Sequence, residues 1–402
     1  MFLESLLARN RPFVEACIRL HQEGRIPPNS YVVDLDTLEE NTRHLTDQAH
    51  QLGLKVYAMT KQLGRAGGTL DAITAGGADG YVAVDMDCAR PIAAGGHVLG
   101  NLGHLVQIAR SEAKEAAGLA PHYWTIFSGS KAIEASRAVT EQGRTQPVLL
   151  RVWNESDIFY PGHEGGFHLE ELSAAIRLVE GLDGLRFGGL TTFPALLYDA
   201  DSRQVSTTPN VETLARATEK AAALLGADDE IEINAPGTTS TAVLKMLADI
   251  GATQVEPGLG LTGSTPLHAV EELVERPAAL YLSEVAHLHQ GVPLCFGGGF
   301  YVDPVFDPYQ EQVLLAGGPE DAGSDPVPLD MPNPAGIDYY ARLHPPPGRK
   351  VSEGDTVICA FRFQAFVTRA KITCLTGVAS SNPSVAGVWN GFGDLVKASD
   401  AR

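Results

Sequence analysis

The sequence predicts an α/β protein: a (β/α)8 barrel of the TIM type with a smaller C-terminal β domain. Three observations carry this expectation. Short β-rich runs alternate with amphipathic, helix-like stretches along most of the chain. Eight of those runs recur about every 28 residues between positions 55 and 258, the length of a βα unit. The composition then changes after about residue 270. A chain of 402 residues has room for two to three domains, and 44% hydrophobic against 20% charged residues supplies the core they need.

Taken in order, the first run is 31–36 (YVVDLD), followed by a helix-like stretch at 37–52. The barrel series is 55–61, 80–85, 97–102, 122–128, 147–153, 187–193, 230–235 and 253–258. Further helix-like pieces lie at 169–180 and 211–225. Eight strands is the count a barrel requires. A doubly wound open sheet is the alternative, but it calls for GxGxxG after its first strand. The segment KQLGRAGG at 61–68 does not supply that frame. Beyond the series, 279–302 alternates like strands, 316–336 reads as a loop rich in Gly, Pro and Asp, and 356–378 is strand-like again.

Charge and cysteine usage narrow the function. The net charge is −19, from 49 acidic against 30 basic residues. Such an exterior repels nucleic acid, so any bound phosphate should be small and held by backbone amides. No run reaches the roughly 18 apolar residues of a membrane span. The segment MFLESLLARNRPFVEAC lacks the apolar core of a signal peptide. The five cysteines (Cys17, Cys88, Cys295, Cys359 and Cys374) are scattered without CxxC or other metal-like spacing. The expectation is a soluble, cytoplasmic protein with reduced thiols and no bound metal.

In a barrel the chemistry gathers where strands end. Those positions here are Lys61, Asp85, Asn101, Ser128, Arg151, Thr192, Asn234 and Glu256. Most lysines at strand exits are surface residues; one inside a barrel mouth is partly buried and becomes a candidate imine former. Lys55, which opens the same strand, falls on the opposite, structural face. After the seventh strand, Asn234 to Thr241 brings Gly237, Thr238, Thr239 and Ser240 to the start of an expected apolar helix. After the eighth, Glu256 to Ser264 forms a second amide-rich turn with Gly258 and Leu259. Two such turns after strands seven and eight match the usual phosphate site of a barrel. Arg151 approaches either a cofactor ring, a substrate carboxylate or a salt bridge under the mouth. His97 and His104 flank a strand and read as turn or interface residues. A lysine, a phosphate cradle and a carboxylate around one mouth are the parts that pyridoxal 5'-phosphate needs.

On these residues the chain resembles the fold-type III pyridoxal phosphate enzymes, the alanine racemase-like group. The similar segments are VVDLDTLEENTRHL (32–45), VYAMTKQLGR (56–65), GGLTTFPALLYD (188–199) and VEPGLGLTGSTP (255–266). TKQLG and FYPGHEGGF (159–167) are most similar to an uncharacterised, YhfX-like branch of amino-acid racemases. The resemblance implies that 31–36 joins the C-terminal β domain. The barrel is then 37–270, and 1–36 plus 271–402 form the β domain. It implies a homodimer acting on a small amino acid, with Lys61 holding the cofactor and serving as one acid/base at Cα. It also implies that the second base comes from the partner subunit. Tyr301 is the choice, after Gly297–Gly299, with Cys295 and Cys359 as rivals. Cofactor contacts fall on Lys61, Arg151, Asn234, Thr238, Thr239, Glu256, Gly258 and Leu259. The sequence departs from alanine racemase at Glu256, where that enzyme has arginine. A carboxylate there keeps the pyridine nitrogen protonated and strengthens the electron sink. That is equally at home in a decarboxylase or lyase, and a non-catalytic pyridoxal phosphate carrier is the alternative from another class. A metal-assisted D-amino-acid dehydratase would want an HxC pair; His287 and His289 are spaced HxH instead.

Overall fold

A computed structural model describes residues 1–225, 230–301, 311–333 and 336–399. It divides into two compact units. One comprises Leu45–Thr60 and Gly77–Gly258; the other comprises Met1–His44, Lys61–Gly76 and Leu259–Arg402.

The first unit contains the expected barrel. Its eight strands are Lys55–Met59, Gly80–Ala83, Leu99–Leu102, Tyr123–Ile126, Gln146–Trp153, Leu185–Thr191, Glu232–Asn234 and Gln254–Val255. Each pairs in parallel with the next, and the eighth closes on the first through Gln254 opposite Lys55 and Val255 opposite Val56. Residues such as Val56, Ala58, Val82 and Leu150 are buried because parallel strands are covered on both faces. Two features differ from expectation. A hairpin, Leu196–Asp199 with Gln204–Thr207, extends the chain beyond the sixth strand. The expected apolar helix after the seventh strand is a 3-10 turn, Thr241–Val243, followed by the six-residue helix Leu244–Asp249. Its start is displaced because Ser240 is still extended (φ −147°, ψ 172°).

The opposite, N-terminal end of the barrel is a closed polar cluster. Glu232 Oε1 accepts from Lys55 Nζ and from Tyr123 Oη at 2.9 Å, while Oε2 accepts from Thr253 Oγ1 at 2.5 Å. Gly100 makes room for the Tyr57 ring: a Cβ there would lie 2.2 Å from it. Lys55 thus takes the structural role expected of it.

The second unit is built on a ten-stranded, largely antiparallel sheet. The strand Ser30–Asp34 lies inside it, antiparallel to Ala279–His289 and parallel to Lys371–Thr376. The first β-rich run therefore belongs to this sheet. Two N-terminal helices, Phe2–Arg9 and Arg11–Gln22, bury Leu6, Phe13, Ile18 and Leu20 in a core with Val32, Leu280, Leu282 and Ile358. The segment 316–336, expected to be a loop, carries the strand Val327–Asp330. Its Val327 and Leu329 point inward while Asp330 is exposed, a two-residue alternation hidden among turn formers. Among the described residues no helix is long and apolar enough to cross a membrane.

Candidate active site

At the C-terminal end of the barrel the strands converge on Glu256, which directly follows the last strand. Its carboxylate is 1% exposed. Oε1 accepts from Asn101 Nδ2 at 2.9 Å and from Asn234 Nδ2 at 2.7 Å. Both amides are oriented from behind. Thr125 Oγ1 donates to Asn101 Oδ1 at 2.8 Å, and Asn234 Nδ2 lies 3.2 Å from Thr191 Oγ1. Oε2 lies 3.3 Å from His104 Nε2, and this imidazole is as deeply buried as the carboxylate. Four other barrel strands or their exits therefore contribute to holding one acid. A buried carboxylate is tolerated where hydrogen bonds replace its water.

Arg151, near the end of the fifth strand, is fully buried. Its guanidinium sits 4.8 Å from the Phe127 ring centroid and 5.5 Å from that of Phe159. Nη2 donates to the Phe193 carbonyl at 3.3 Å, while Nε and Nη1 have no hydrogen-bond partner. Burial pushes this guanidinium down to about 10, with Glu164 opposing the shift. A buried cation with two idle donors is costly, and a bound anion would relieve it. Phe193 carries the aromatic wall onward. Its ring meets His104 edge-on at 5.7 Å and is faced by Tyr160 and His163. The loop bearing Tyr160 and His163 is anchored by Asn210, which bonds both the amide and the carbonyl of Ile158.

The two turns expected to take a phosphate are both formed. Thr239 is 2% exposed, and its Oγ1 lies 3.4 Å from the Gly237 carbonyl. A Cβ on Gly237 would lie 2.6 Å from the Leu196 nitrogen, so only glycine lets the Asn234–Thr241 turn approach that strand. Thr238 is half-buried beside it. With the following helix only six residues long, amides and hydroxyls must hold an anion here without much helix dipole. Gly258 follows Pro257, whose carbonyl accepts from Met59 N at 2.8 Å, so the exits of the first and eighth strands run side by side. Leu259 begins the next turn, its carbonyl accepting from Thr262 N and Ser264 N.

Lys61 stands two residues beyond the first barrel strand, after the fully buried Thr60, whose Oγ1 has no hydrogen-bond partner. It opens a 3-10 turn, Lys61–Leu63, and its Nζ lies 5.3 Å from the Phe366 ring centroid within the second unit. Tyr301 is half-buried in that unit, following a glycine run in which the Gly299 carbonyl accepts from Tyr31 Oη at 2.6 Å. The structure thus gathers Asn234, Glu256 and Arg151 with Thr238, Thr239 and Gly258 in the barrel unit. Lys61, Leu259 and Tyr301 belong to the other unit. Sequence reasoning missed His104, which it read as a turn or interface residue. Burial among barrel side chains brings it to Glu256, and its place two residues past a barrel strand was the available signal. All five cysteines are buried as free thiols. Among the described residues no group of three or more His, Cys, Asp or Glu is placed to hold a metal ion.

This donor set suits pyridoxal phosphate: a buried carboxylate held by neutral amides, an idle buried guanidinium and a hydroxyl-lined turn that a Cβ would block. Comparisons with known proteins agree. Residues 33–266 match the family described as alanine racemase, N-terminal domain, and residues 280–385 match the YhfX-like C-terminal domain. The chain is 35% identical to the uncharacterized protein YhfX of Escherichia coli (strain K12), over 99% of this chain and all of that protein. Among solved structures, D-threo-3-hydroxyaspartate dehydratase from Delftia sp. HT23 is similar in fold, with TM-score 0.66 and 17% identity, covering 91% of this chain and 97% of that one. D-threonine aldolase from Filomicrobium marinum is similar with TM-score 0.65 and 18% identity, covering 92% and 96%. The chain belongs to the alanine racemase-like, fold-type III family of pyridoxal phosphate-dependent enzymes, with a YhfX-like C-terminal domain.

Proposed function

We propose that the protein is a pyridoxal phosphate-dependent amino-acid racemase or epimerase, working as a cytoplasmic homodimer. The observation that carries the reading is Glu256: a buried acid whose Oε1 receives two amide donors, directly beyond the eighth barrel strand. When bound, the cofactor supplies an electron sink conjugated with the substrate Cα. Lys61 would anchor it, and its Nζ would take the Cα proton on one face. Glu256 would favour a positive charge on the cofactor's ring nitrogen. Thr238, Thr239 and the amides of Gly258 and Leu259 would hold the phosphate, and Asn234 keeps Glu256 in register. Arg151 offers its idle donors to an anionic oxygen of cofactor or substrate.

Inversion needs a second group on the opposite face, which we assign to the partner subunit's Tyr301. Cys295 and Cys359 suit the role poorly. Both are fully buried, and burial pushes the Cys295 thiol up to about 12 and the Cys359 thiol well above its usual value, away from the thiolate. The holoenzyme should be incubated in heavy water with single L- and D-amino acids, following deuterium at Cα and the enantiomer formed. Exchange with inversion supports the racemase. Release of carbon dioxide, or cleavage of the substrate with no inversion, gives the function to a decarboxylase or lyase instead.

A further inference from the structure

We propose that His104 is the positioning residue that fixes the charge on Glu256. This deepens the cofactor reading above and rests on it. The two carboxylate oxygens are served differently. Oε1 faces the amides of Asn101 and Asn234, at 2.9 and 2.7 Å. Asn101 has its oxygen occupied by Thr125 Oγ1, so its amide nitrogen faces the carboxylate. Oε2 faces His104 Nε2 at 3.3 Å. Of these side chains, His104 alone can titrate, and it stands on the oxygen that the amides leave to others.

The surroundings hold the imidazole in place. Its ring meets Phe193 at an interplanar angle of 89°, and Phe193 is backed by Tyr160 and by the stacked ring of His163. Both His104 and Glu256 are buried, so water does not screen the pair. A hydrogen on Nε2, 3.3 Å from Oε2, would favour the carboxylate over the carboxylic acid. With the cofactor bound, the carboxylate would accept a hydrogen bond from a protonated pyridine nitrogen. Without His104, a proton shared between Glu256 and the pyridine would rest nearer the acid, and the cofactor would be a weaker electron sink. The proton is conserved in this shift; only its resting atom changes.

The test reads the ring itself. Wild type, H104F, H104Q and E256Q are each loaded with pyridoxal phosphate isotopically labelled at the ring nitrogen, and the nitrogen resonance is recorded by NMR. H104F should move the resonance toward the unprotonated position. H104Q, which keeps an N–H of similar reach, should stay near wild type. If H104F does not fold, H104N carries the same expectation, being too short to reach Oε2. A resonance unmoved in the variant lacking the donor, with E256Q shifted, overturns the role of His104 and leaves Glu256 as the ring partner. A resonance unmoved in E256Q overturns the underlying reading instead.

Discussion

Each end of the barrel carries a glutamate, and the strand Lys55–Met59 runs from one to the other with a lysine at its start and another just past its finish. At the N-terminal end Glu232 is satisfied by a cation: Lys55, helped by Tyr123 and Thr253. At the C-terminal end Glu256 is held by two neutral amides and an imidazole, with Arg151 idle elsewhere in the same end. The difference lies in what each cluster leaves unfinished. The first neutralises its own charge and asks for nothing more. The second holds a negative charge in place, and the same end of the barrel buries a guanidinium with two idle donors. Buried charges kept apart cost stability, and they are maintained where a ligand will use them.

The largest expected effect separates the two lysines. Borohydride reduction of the holoprotein followed by peptide mapping should place the pyridoxyl label on Lys61 and none on Lys55. Lys61→Ala should abolish the label and lower Cα exchange by about a thousandfold or more. A label on Lys55 would erase the distinction between the two ends. Next comes Glu256→Gln, which should retain the label yet slow Cα exchange about a hundredfold. Full exchange in that variant would mean the carboxylate is structural, as Glu232 is.

Glu232→Gln should do the reverse and cost folding stability, about 2 kcal/mol for a carboxylate hydrogen-bonded to charged and neutral donors. Cα exchange should be unaffected. The pH dependence follows from its lowered pKa: burial alone raises it, but donation from Lys55, Thr253 and Tyr123 outweighs that. A depressed folded value means the contribution is fully present above the unfolded pKa, about 4.3, and is lost as pH falls through the folded one. Urea unfolding from pH 6 downward should show a steeper acid loss in wild type than in Glu232→Gln. Parallel curves would show that the cluster contributes nothing through charge.

The barrel was legible because strand runs and helical stretches repeat at one period, and because Lys61, Asn234 and Glu256 fall at strand exits. The strand at 327–330 was not, because a four-residue alternation among Gly, Pro and Asp carries too little signal. The two N-terminal helices went unread because their apolar face only makes sense against the sheet that covers it. His104 was missed for a related reason. An isolated histidine in a turn carries no periodic mark, and its partner Glu256 lies 152 positions along the chain. The network of Asn101, Thr125 and Thr191 is likewise a product of barrel closure. Each lies on a different strand, and no local spacing links them.

The smallest effect sharpens the comparison most, since it concerns the charge that the mouth leaves unpaired. Arg151 is buried between Phe127 and Phe159 with Nε and Nη1 unsatisfied. Contacts of a cation with aromatic faces recover about 1 kcal/mol each. Removing a guanidinium from water without a carboxylate partner costs several kcal/mol. The balance lies against the arginine in the unliganded protein. Arg151→Met, similar in length and apolar, should therefore raise the stability of the apoprotein by about 1 kcal/mol, seen as a higher melting temperature. The same change should weaken retention of cofactor or substrate, because the anion that would satisfy Nε and Nη1 has lost its partner. Lys55→Met at the other end should lower stability and leave retention alone. If Arg151→Met instead destabilises the apoprotein, the guanidinium is a packing element like the cluster at the N-terminal end, and the two ends differ less than their donor sets suggest.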